Sequence, residues 1–153
     1  MASIRRQIVV QLRDRLRTIT GWDVQIAGAA HNPAVAVHVD VFYDSEDKSI
    51  ENSEQYSSRL QVGALIVGRV EDADPDPIAS GGDDGMPVLY IERLVQLAEE
   101  KIHAPDSWGV DPGFTDVAVT GHEVGEPDDA SLIGAMLNLQ FTYRHNAANL
   151  GTL

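Results

Sequence analysis

The residues most able to do chemistry in this chain are aspartates. Asp72, Asp74 and Asp76 alternate, and Asp83 follows Asp72 by eleven positions, an echo of a calcium-binding loop. Such a loop needs a glycine at its sixth position for the sharp turn and a bidentate Glu at its twelfth. Here the sixth position is Pro77 and no Glu closes the loop. Asp76 followed by Glu99 and Lys101 also resembles the acidic pattern of a restriction-type nuclease. That chemistry needs the Glu-x-Lys pair on a strand. On a helix, where this segment is predicted, the two side chains point about 200° apart.

The five histidines, His31, His38, His103, His122 and His145, have no metal-ligand spacing. His38, within a valine-rich strand, reads as a half-buried imidazole with its bonds satisfied. His122 and Glu123 are adjacent on a predicted strand and so point to opposite faces. The serines lie in polar loops with no nucleophile elbow. Gly81-Gly82 precedes Asp83-Asp84, which repel a phosphate instead of cradling it. The expectation is therefore no catalytic residues, no metal and no cofactor. A small metal-dependent hydrolase using the loop from Asp72 to Asp84 stays as the alternative of a different class.

The elements around these residues follow from periodicity. Ser3 suits an N-cap, and Ile4, Ile8, Leu12, Leu16 and Ile19 share one helical face with Val9 at its edge. Arg6, Arg13 and Arg17 form a stripe beside it, and Gly21 ends the helix. A short strand is predicted from Trp22 to Ala27. Ala34 to Tyr43 alternates as a second strand, and Asp44 to Ser58 reads as a mobile acidic hairpin loop. Arg59 to Glu71 is apolar on both faces in its middle, which predicts a central strand. Residues 72–86 read as another mobile acidic loop, too polar to order themselves. Val88, Ile91, Leu94, Val95, Ala98 and Ile102 give a second amphipathic helix, with Pro87 in its first turn. Tyr90 and Leu97 form a minor apolar stripe on it, suited to touching something besides its own sheet.

Phe114 to Val124 is a further strand. In Leu132 to Arg144 every alternate residue (Ile133, Ala135, Leu137, Leu139, Phe141, Tyr143) is apolar, the mark of a strand buried on one side. The tail 146–153 is expected to be flexible. The order predicts a single α+β domain over 1–153: one mixed or antiparallel sheet of four to five strands with two helices packed on one face.

Bulk composition narrows the classes further. With 153 residues, 43% of them apolar and no cysteine, the chain suits one folded domain made in a reducing compartment. No run of residues is long and apolar enough for a membrane span. The net charge of −13 disfavours general DNA binding, which draws its affinity from basic residues. Five arginines against Asp14 make the first 17 residues +4, so the remainder carries −17. An acidic body with one basic helix points to self-association or to an acidic neighbour.

Taken in order, these segments resemble the tail-terminator, or tail-completion, family of long-tailed phages, typified by minor tail protein U of lambdoid phages. The features that match are the basic opening helix Ile4 to Ile19, the strand Ala34 to Tyr43 with its acidic loop, and the run Tyr56-Ser57-Ser58-Arg59-Leu60-Gln61-Val62. They continue with the helix Val88 to Ile102 and the closing strand Gly134 to Arg144. The resemblance lies in layout over nearly the whole chain and not in an invariant motif. It implies a homo-oligomeric ring, a hexamer, that caps the tail tube and meets the head-side connector proteins. It also implies a place in the virion at the tail–neck junction, after assembly in the host cytoplasm.

On that basis DNA passes through without specific binding. Arg6, Arg13, Arg17, Tyr90 and Leu97 are then candidate interface residues. Asp72, Asp74, Asp76, Asp83 and Asp84 are candidates for an acidic loop facing the channel or the tube. The alternatives within this class are another neck, head-completion or tail-tube subunit. An adaptor holding a basic partner on its acidic surface is a further one.

Overall fold

The computed structural model describes residues 3–50, 55–69, 86–105, 108, 116–125 and 132–146. Helix α1 covers Ile4–Leu16, and its first turn is closed by the Ser3 hydroxyl, which accepts the Arg6 N–H at 3.1 Å. Strands β1 (Trp22–Ile26), β2 (Val37–Ile50) and β3 (Gln55–Arg69) follow. Helix α2 (Met86–Ile102) comes next, then β4 (Asp116–Gly125) and β5 (Leu132–Asn146). The five strands form one sheet in the order β1-β2-β3-β5-β4. Only β1 and β2 are parallel; the other pairs are antiparallel. The α+β class, the single mixed sheet and the central position of β3 are as the sequence predicts.

Both helices lie on one face. Helix α1 packs over β1 and β2, α2 packs over β3, β5 and β4, and the two touch each other. Their apolar stripes meet the alternating valines, leucines and isoleucines of the strands in one core. Ile8, Leu12 and Leu16 of α1, Ile91 and Ile102 of α2, and Val39, Leu60, Ile66, Leu137 and Phe141 of the sheet are almost wholly buried. Each such side chain contributes about 1.5–3 kcal/mol through the water it sheds. On the opposite face no described helix packs, and Phe42, Leu65, Val67 and Met136 are only half-buried there.

Two findings differ from the sequence reading. Asp44 to Ser58 is not a loop in its described part: β2 runs on to Ile50 and β3 begins at Gln55, paired from Ser45↔Gln61 to Ile50↔Tyr56. This stretch hides little apolar surface, so its residues carry no alternating apolar signal. Secondly, β2 begins at Val37 instead of Ala34. Residues 27–36 must return from the end of β1 to the start of a parallel neighbour. They do so without the crossover helix that such connections usually employ. Gly28, with φ +100°, makes the turn that starts this return. The acidic stretch 72–85 and the tail from 147 onward lie outside the described residues.

Candidate functional site

The buried polar structure is concentrated in two clusters, one on each face of the sheet. The first is made by a bulge. Between Tyr43 and Ser45 the β2–β3 register slips by one residue. Alternation past Tyr43 would otherwise send Glu46 to the uncovered face, but the extra residue turns it under α1, opposite Leu60. There its carboxylate is 2% exposed. Arg5 Nη2 donates to one oxygen and the Tyr143 hydroxyl donates to the other, while Lys48 Nζ stands 3.7 Å away.

Burial works against ionisation of both Arg5 and Glu46. The bonds between them and to Tyr143 outweigh it, so the guanidinium is held above and the carboxyl below its ordinary value. Burial, and then the Glu46 carboxylate, push Tyr143 up to about 12. The cluster locks α1 to the far end of the β2–β3 hairpin and to the last strand.

The second cluster holds the 27–36 return against the uncovered face. Asp23 and His38 face each other across β1 and β2, and Gln25 and Asp40 do the same two residues on. His31, from the returning chain, donates through Nε2 to Asp40 Oδ1 at 2.9 Å. Its Nδ1 lies 3.2 Å from Asp23 Oδ2, off the direction of a hydrogen bond. The His31 ring stacks on His38 at 4.7 Å, and His38 Nε2 donates to the Asn32 carbonyl at 2.9 Å. Burial raises the Asp23 carboxyl, but the Asn32 N–H, Gln25 and His31 together hold it below its usual range. His38 is thus half-buried and bonded, as its place in the strand predicts.

The predicted interface residues are divided among different duties. Arg6 is exposed and makes no ion pair with a described residue. Arg13 Nε pairs with Asp14 at 2.9 Å. Arg17 Nε donates to the Val24 carbonyl at 2.8 Å and its Nη2 to Gln25 Oε1, so it covers the outer edge of its own β1. Arg15, not singled out by sequence, reaches the Lys101 and Ala104 carbonyls at the end of α2 and lies over the Trp108 ring. Tyr90 and Leu97 pack, half-buried, against the chain's own core. A Cβ on Gly68 would sit 3.1 Å from the Tyr90 hydroxyl, so that ring occupies the space the glycine leaves.

Glu99 and Lys101 are on a helix, as the argument against a nuclease pair requires. His122 and Glu123 do point to opposite faces, and His122 meets Glu92 of α2 at 3.3 Å. Asp72, Asp74, Asp76, Asp83 and Asp84 lie outside the described residues. Among the described residues no group of three His, Asp or Glu side chains is placed to hold a metal ion. None of the described helices is long and apolar enough to cross a membrane. Compared with models of known protein families and with the sequences of curated proteins, the chain matches none.

Proposed function

We propose that this chain is a structural subunit of a phage tail, a terminator that assembles with its own copies into a closed ring of six. The ring caps the tail tube, contacts the head-side connector and lets DNA pass. The observation that carries this reading is the uncovered face of the sheet. Leu65, Val67 and Met136 line a shallow groove there, over Gly134 and between β3 and β4. Around it the face is polar, with Gln61 donating to Gln140 at 2.9 Å and Asn138 and Arg144 exposed. An apolar centre with a polar surround suits another protein surface.

The polar clusters fit the same reading, because each ties one element to another: α1 to the hairpin, and the 27–36 return to the sheet. The order of elements, a basic helix first and a long strand last, is the order on which the resemblance to terminators rests. A net charge of −13 keeps phosphates from adhering to the wall of a channel.

Negative-stain images of the purified chain over a concentration series test the proposal. Closed rings of one diameter with six-fold views are the expected result. Open filaments, or a species that stops at two copies, would refute it.

A further inference from the structure

We draw no further inference here: the strongest candidate, the shallow apolar groove of Leu65, Val67 and Met136 on the uncovered face of the sheet, belongs to the surface already described, and nothing in the structure shows what covers it.

Discussion

At Glu46 the Arg5 guanidinium and the Tyr143 hydroxyl converge on a carboxylate that water hardly reaches, so removing it strands two donors at once. Glu46→Ala is expected to cost about 3 kcal/mol of folding free energy in urea unfolding, as for a broken buried ion pair. The pH dependence has a sign at each end. The Glu46 carboxyl is held below its unfolded value, so its contribution is complete above the ordinary carboxylate range. It is lost as pH falls through the folded value. Tyr143 is raised from 10.0 to about 12, so its contribution is complete below the first value and disappears as pH rises to the second. That alkaline loss amounts to at most about 2.7 kcal/mol, and Tyr143→Phe should flatten it in unfolding midpoints measured across that range. Neither role could be read from sequence. Tyr143 reads as one more apolar-face residue of an alternating strand, and Glu46 falls in a polar run without periodicity.

At the scale of elements, what was legible was whatever buries apolar surface. Helix α1 is visible because Ile8, Leu12 and Leu16 recur every four residues, and β5 because every second residue from Ile133 to Tyr143 is apolar. The outer half of the β2–β3 hairpin is exposed, and a strand that covers no core has nothing to alternate. The bulge after Tyr43 was equally hidden, since it is a property of pairing and not of one segment. Its effect can be tested by deletion. Without Asp44 the register slip closes with Ser45 still opposite Gln61 and Glu46 still opposite Leu60, so the variant should keep the Glu46 cluster and lose much less stability than Glu46→Ala in urea unfolding. The arginine stripe was legible as a stripe, but its partners depend on tertiary neighbours such as the β1 carbonyl that Arg17 takes. At the head of the same helix, Ser3→Ala should lower stability by about 1 kcal/mol, because the Arg6 N–H loses its acceptor.

For the molecule as a whole, the basic residues of α1 stand over an acidic β1–β2 edge, where Asp23, Asp40, Asp44, Glu46 and Asp47 outweigh Lys48. Exposed charges are screened within about 10 Å at 0.1 M salt. Raising salt from about 0.05 to about 0.5 M should therefore act on exposed pairs such as Arg13–Asp14 and leave the buried one. The urea midpoint should move little, since the Glu46 pair is shielded from the solvent. The strand order carries a further consequence for how the protein is made. Strand β3 takes its second neighbour from residues 132–146, so Val62 waits for Leu139. A ribosome that has delivered everything up to Gly125 has released a long apolar strand with one side bare, and bare strand edges invite other nascent chains. A shortened protein ending at Gly125 should accumulate in inclusion bodies, and co-translational chaperones should hold the full-length chain until its last strand emerges.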